Sequence, residues 1–412
     1  MRHLPHLVAA TVLGLAVIPV VPAAAATDTA AYARWDTTTD FTKGTSVGLA
    51  AKPSAMTLGS GTSVITYDDP RVSGGALHYD RGYWTSPWQT TGFAAKSLIP
   101  SWSIDTPVGT WAKVEVRVRS GSTIGSWDVI ARHASATSYI KRASSSSQTD
   151  DLARLSTDTV IANTGKTFSG WQVRVQLMRH VKTKASPTLK SVGAVAASYT
   201  SRSAAVSSTT MTATKELAVP RSSQMIHRGE YPQWGGGGEA WCSPTSTSMV
   251  LRYFGTGPTA ADYKWGRYAD GFVDYAARDT FDYAYDGTGN WPFNTAYASR
   301  YGLDSFVTRL HNLRDAEAFI KAGIPLVASI AFDRGGLDGA PISSTPGHLL
   351  VIRGFTAGGR VIVNDPAAAS NSTVRRIYSR AQFERAWLKG SGGVVYVMHP
   401  TTRPLPPDTP RW

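Results

Sequence analysis

The sequence predicts two domains of different class, an N-terminal all-β sandwich or jelly roll and a C-terminal α+β domain. Three observations lead there. At 412 residues the chain exceeds one ordinary hydrophobic core. From about Tyr32 to Tyr199, short alternating runs recur between Gly, Pro, Ser and Asp clusters, with no helical period between them. After Val219 a helical segment comes first and antiparallel strand-like runs come later.

Residues 1–26 read as a signal peptide. Arg2, His3 and His6 make a short polar n-region, Leu7 to Val21 is apolar, and Ala23 to Ala26 supply small residues for cleavage near Ala26. The apolar run is short for a membrane span and no second one follows. The expectation is therefore a secreted, extracellular protein with no membrane span once the signal is cleaved. Export makes the cysteine count informative. A single Cys242 allows no intrachain disulfide and no cysteine-based zinc site, so stability is expected from the two cores alone. The excess of 42 Lys+Arg over 29 Asp+Glu, a net +13, is spread along the chain without a dense basic block, a helix-turn-helix or a finger. Nucleic acid is not an expected partner. Diffuse positive charge suits loose association with an anionic cell wall, or simply a soluble surface.

Residues 30–200 carry the sandwich prediction. In Val114-Glu-Val-Arg-Val-Arg119 valines alternate with charged residues, the period of a half-buried strand, and Trp171 to Leu177 repeats it. Tyr67-Asp-Asp-Pro70 and Ser73-Gly-Gly75 are turn chemistry. This half is rich in tryptophan: Trp84, Trp88, Trp102, Trp111, Trp127 and Trp171. Core or rim packing is their expected role, and a platform for sugars is the alternative. Residues 201–218, dominated by Ser, Thr and Ala, are expected to be an extended, mobile linker.

Residues 219–402 form the second predicted domain. Pro244 to Phe254 is helix-like, Asp315 to Ala322 is a second helix stopped by Gly323, and Pro325 to Ala331 is a buried strand. His348 to Phe355, a Thr-Ala-Gly-Gly turn and Arg360 to Asn364 read as a hairpin, followed by a strand at Gly393 to Met398.

The segment Gly235-Gly-Gly-Gly-Glu-Ala-Trp-Cys242 followed by Ser-Pro-Thr-Ser-Thr-Ser-Met249 carries the chemistry. Ser243 is suited to the N-cap and Pro244 to the first helical position, which puts Cys242 at or just before a helix N-terminus. The partial positive charge there stabilises a thiolate, the attacking species of a nucleophilic cysteine. His348 opens a strand and is the candidate base, since imidazole takes a thiol proton and returns it to a leaving amine. Asp365 ends the return strand in Val361-Ile-Val-Asn-Asp-Pro366, so the hairpin brings it to the same edge as His348, where it can orient the ring. Alone, Asn-Asp-Pro is an ordinary turn. An oxyanion donor beyond the Cys242 N–H is expected from a glutamine, either Gln224 or Gln233. His227 and His311 have no partner at ligand spacing, and no cofactor or metal is expected. Asp262, Asp270, Asp274, Asp279 and Asp282, interleaved with tyrosines, read as a solvated helix face, with a substrate cleft as the alternative.

Taken in order, Val-Pro-x-x-Ser-Gln, Cys-x-Pro-Thr-Ser-x-x-Met-Val-Leu, Gly-His-x-x-Val-Ile-x-Gly and Asn-Asp-Pro resemble secreted, stand-alone relatives of the bacteriocin-leader (double-glycine) peptidases. The resemblance covers about Val219 to Pro400. It implies a papain-like cysteine peptidase fold, with Cys242 as nucleophile, His348 as base, Asp365 as orienting acid and Gln224 as oxyanion donor. Ser243 stands where those proteins often carry glycine, and no transporter membrane domain or ATP-binding loop accompanies the motifs, so coupled leader export is not expected. The implied activity is hydrolysis of a peptide or amide bond through a thioester, on a protein, peptide or peptidoglycan substrate. The alternative is a non-catalytic cell-wall or glycan-binding protein with a remnant peptidase domain.

Overall fold

The computed structural model describes residues 29–145, 148 and 151–407, and the predicted signal peptide lies outside them. Among the described residues no helix is long and apolar enough to cross a membrane. The described residues are strand-rich, with three antiparallel sheets.

Two sheets, of nine and seven strands, make up the N-terminal half. The strand Thr110–Ser120 lies between Phe168–His180 and Asp128–His133. Its alternation does what the sequence predicts: Val114, Val116 and Val118 face inward, where they meet Leu98, Trp102 and Ile104 of the facing sheet in one core. Trp84, Trp102 and Trp171 are buried there, and Trp111 is buried in a separate cluster with Tyr79 and Met178, so packing is their role. Trp88 and Trp127 are only half-buried. They interleave with arginines on the outer face: Arg174 lies 4.3 Å from the Trp127 ring centre, Arg117 lies 4.6 Å from Trp127 and 5.1 Å from Trp88, and Arg119 lies 4.7 Å from Trp88.

The third sheet runs in the order Asp304–Arg309, Val394–His399, Leu326–Phe332, Thr345–Phe355, Val361–Asn364, Arg375–Tyr378. The helix Cys242–Tyr253 packs on the strand Thr345–Phe355, and Arg380–Ser391 packs on Leu326–Phe332. The predicted hairpin is present, with Val351 opposite Asn364.

Two expectations need correction. The cores are not separate. Phe293 and Ala296, on the helix Trp291–Ser299, enter the sandwich core, where Phe293 meets Trp102 edge-on at 6.0 Å. Arg34 forks onto Asp304 at 2.8 and 3.1 Å, and Ser101 Oγ accepts the Val307 N–H. The apolar period of each half marked buried faces without showing which half would cover them. Residues 201–218 are extended but are held rather than free. The Ser207 N–H and hydroxyl donate to Glu384, the Thr209 and Thr210 hydroxyls donate to Glu317, and Lys215–Glu216 adds a short strand beside Phe355 and Gly354. The hydroxyls that look like linker composition satisfy carboxylates on the neighbouring helices.

Candidate active site

Cys242 is the first residue of its helix. The N-cap is Trp241, without a side-chain cap bond, and Ser243 is buried with its hydroxyl 2.9 Å from the Tyr396 hydroxyl. Ser243 is thus not the N-cap. Its side chain is drawn into the core by a tyrosine that the local sequence does not contain. The partial positive helix terminus still falls at the sulfur.

His348 stands near the start of the strand Thr345–Phe355, buried, and lines the same cleft as Cys242. Its Nε2 lies 2.8 Å from Asp365 Oδ1. The carboxylate is held in turn: the Tyr378 hydroxyl donates to Oδ2 at 2.7 Å, and the Ala367 N–H donates to Oδ1 at 3.1 Å. Burial alone would lower the basicity of the imidazole. The charge and hydrogen bond of Asp365, with the nearby Cys242 side chain, outweigh it and push the ring up to about 10. Burial acts to raise Asp365, but the His348 charge and the three donors hold its carboxyl below the ordinary range.

Gln224 and Gln233 separate cleanly. Gln233 is exposed, whereas Gln224 is buried and lines the same cleft as Cys242 and His348. The Gln224 N–H donates to Pro366 O at 2.8 Å and its Nε2 donates to Glu239 O at 2.6 Å. An amide group facing a carbonyl must present its NH₂, so one N–H remains for another acceptor. Asn364 holds this segment too, donating to Val219 O and Pro220 O. The residues Asn364-Asp365-Pro366 therefore position both the acid and the glutamine.

The long spacing between Gln224 and Cys242 is taken up by two short turns, Gln224–His227 and Gly238–Ala240, and a glycine loop. Gly235, Gly236 and Gly237 have φ of 77°, 95° and 110°, open to glycine and strained for other residues. A Cβ on Gly238 would sit 2.3 Å from His227 O, so the two turns close on each other only with glycine there.

The cleft has a volume of about 710 Å³ and is built by both halves. Ser156, Thr157, Asp158 and Thr159, from the N-terminal half, line it together with Tyr285 and Gln224. Asp158 anchors this wall by accepting the Trp291 N–H at 2.8 Å. Local sequence marks neither Tyr378 nor this wall, because both arrive through strand pairing and packing.

The acidic-aromatic stretch is not a solvated face. Asp274, Asp279 and Asp282 are buried: Asp282 accepts from Ser144 N and Asn290 Nδ2, and Asp279 pairs with Arg278 and Arg300. Asp262 is exposed. His311 meets a carboxylate, Asp315, at 4.0 Å. His227 also has partners, Glu230 and Asp274, which no local spacing reveals.

These features define a β-rich module fused to a peptidase-like domain, and both halves match family models. Residues 31–197 match the peptidase C39 N-terminal domain, and residues 216–394 match the peptidase C39-like family. The chain is a peptidase C39-related protein. No curated protein matches it. Among solved structures, a candidate C39-like peptidase from Bacillus anthracis matches at 15% identity and a TM-score of 0.28, over 45% of this chain and 96% of that one. A carbohydrate-binding module of the β-sandwich superfamily matches at 10% identity and a TM-score of 0.17, over 39% of this chain and 55% of that one. The Clostridium thermocellum xylanase 10B CBM22-1–GH10 modules match at 14% identity and a TM-score of 0.16, over 46% and 31%.

Proposed function

We propose that the protein is a secreted cysteine peptidase or amidase with a papain-like catalytic domain, acting through Cys242, His348, Asp365 and Gln224. The observation that carries this reading is the single imidazole of His348, bonded through Nε2 to Asp365 and sharing one cleft with Cys242 at a helix N-terminus.

In this reading the thiol proton already rests on the His348 ring near neutral pH, and the Cys242 thiolate attacks the amide carbonyl carbon. The oxyanion receives the Cys242 N–H and the remaining Gln224 N–H. Collapse breaks the C–N bond, and the imidazolium proton passes to the leaving amine. Water then gives a proton to His348 and attacks the thioester, and the acid leaves as the thiol re-forms. Asp365 holds the ring in the tautomer and orientation both steps need, and Tyr378 with Ala367 N–H holds Asp365. A protein or peptide substrate comes first, peptidoglycan cross-peptide second.

A panel of casein, short peptides and purified cell wall, run with wild type and Cys242→Ala, tests this. Cleavage by wild type alone is expected. Iodoacetamide labelling near neutral pH gives a second reading. A Cys242 that reacts no faster than a free model thiol, and identically in His348→Ala, would sink the catalytic assignment. Export is tested by N-terminal sequencing of the mature protein, which should begin near Thr27.

The interleaved Trp88 and Trp127 support a second reading for the sandwich alone, attachment to wall or glycan. Co-sedimentation with purified cell wall, lost in a Trp88→Ala/Trp127→Ala variant, is its expected signature. Unchanged sedimentation of that variant would discard it.

A further inference from the structure

Away from the cleft the fold gathers three ionisable groups that the proposed reaction does not use. His227 ends the turn that begins with Gln224, Glu230 follows in the next loop, and Asp274 lies on the helix Gly271–Thr280. Glu230 Oε2 lies 2.8 Å and Asp274 Oδ1 2.9 Å from the same atom, His227 Nδ1. One donor atom from each residue falls within 4.8 Å of the other two. His227 and Asp274 are wholly buried, and Glu230 exposes 9% of its surface. The setting is aromatic, since the His227 ring lies 5.9 Å from that of Trp241, which packs with Phe272 and Val273.

Charge balance is the difficulty. Even with a protonated ring, two carboxylates leave net negative charge in a nonpolar interior. The charges acting on His227 and Glu230 are those of each other and of Asp274. Neither Asp274 oxygen accepts a well-directed hydrogen bond, and His227 Nε2 has no partner. A buried carboxylate without donors is strongly disfavoured unless a cation or a proton satisfies it.

We propose that His227, Glu230 and Asp274 bind one divalent metal ion of the zinc type. An imidazole nitrogen with two carboxylate oxygens is a donor set such an ion takes, whereas calcium and magnesium prefer all-oxygen shells. A dication beside a neutral imidazole balances both carboxylates, and the Nδ1 proton leaves to solvent as the metal–nitrogen bond forms. The ion ties the loop after Gln224 to the helix Gly271–Thr280, and so fixes the turn whose first residue is Gln224. Its role is structural, and it makes no contact with the Cys242 chemistry.

The test uses the mature chain carrying Cys242→Ala, because a thiol beside an imidazole takes zinc by itself. After dialysis against metal-free buffer, about one zinc per chain is expected by elemental analysis. Stripping with a chelator should lower the melting midpoint. Returning zinc at about a hundredfold over its dissociation constant should raise it by about 3 °C or more. Asp274→Asn keeps the side-chain volume and removes the charge, and it should neither retain zinc nor respond to it. Should that variant fail to fold, Glu230→Gln serves the same purpose. A stripped protein that melts alike with and without zinc overturns the proposal and assigns the cluster a shared proton. A variant that responds as fully as its parent overturns it also, by placing the zinc elsewhere. Neither readout passes through Cys242, so failure of the peptidase reading would leave this result standing.

Discussion

Among the described residues, two buried imidazole–carboxylate groups look alike as distances and differ in their surroundings. His348 meets Asp365 at 2.8 Å, and His227 meets Glu230 at 2.8 Å. Around Asp365 every charge is answered, by the ring, the Tyr378 hydroxyl and the Ala367 N–H, and the assembly borders a cleft. Around Asp274 no well-directed donor answers, and the assembly is sealed among aromatic residues. A satisfied carboxylate can hold a ring in one tautomer through a reaction. An unsatisfied pair instead calls for a counter-charge.

Substitutions at the first group should separate its members by size of effect. His348→Ala should lower kcat on the best panel substrate by about 10⁴-fold or more, because base and acid are lost together. Asp365→Asn, which leaves a hydrogen bond but no charge, should cost about 10²–10⁴-fold, since the ring loses both its orientation and its raised basicity. Gln224→Ala should cost about 10²–10³-fold in kcat with little change in KM, the mark of a donor used in the transition state. An equal loss at Gln233 instead would overturn that assignment. Smallest is Tyr378→Phe, which removes one of three donors to Asp365 and should cost about tenfold in kcat.

Stability against pH sharpens the same contrast. The His348 ring is raised to about 10 in the folded chain, from about 6.5 when unfolded. Its contribution is therefore fully present below pH of about 6.5 and is lost progressively as pH rises through about 10. Denaturant melts at these two pH values should show a fall in wild type that His348→Gln largely lacks. An equal fall in both would refute the charged pairing.

Much of this was legible beforehand, for physical reasons. The valines of Val114 to Arg119 alternate because a strand turns successive side chains to opposite faces, and the structure buries them as read. His348 and Asp365 could be paired on paper because a short turn fixes which hairpin ends meet. Local sequence suits Ser243 to a cap, but capping preference is local and the Tyr396 that draws it into the core is not. Sequence alone makes Asp274 and Asp282 look solvated, since acidic residues are rarely buried without partners. Their partners, His227 on one side and Ser144 with Asn290 on the other, come from distant segments.

The sequence by itself determined the strand-rich first half, the order Cys242, His348, Asp365, and the placement of the sulfur at a helix start. Those depend on period, turn chemistry and neighbours a few residues away. Only the tertiary structure buried Gln224 beside the cleft and left Gln233 exposed, brought Tyr378 onto Asp365, set a wall of the N-terminal half beside the cleft, and joined His227 to Asp274. Each of these is a meeting of distant segments, decided by strand register and by which buried faces cover one another.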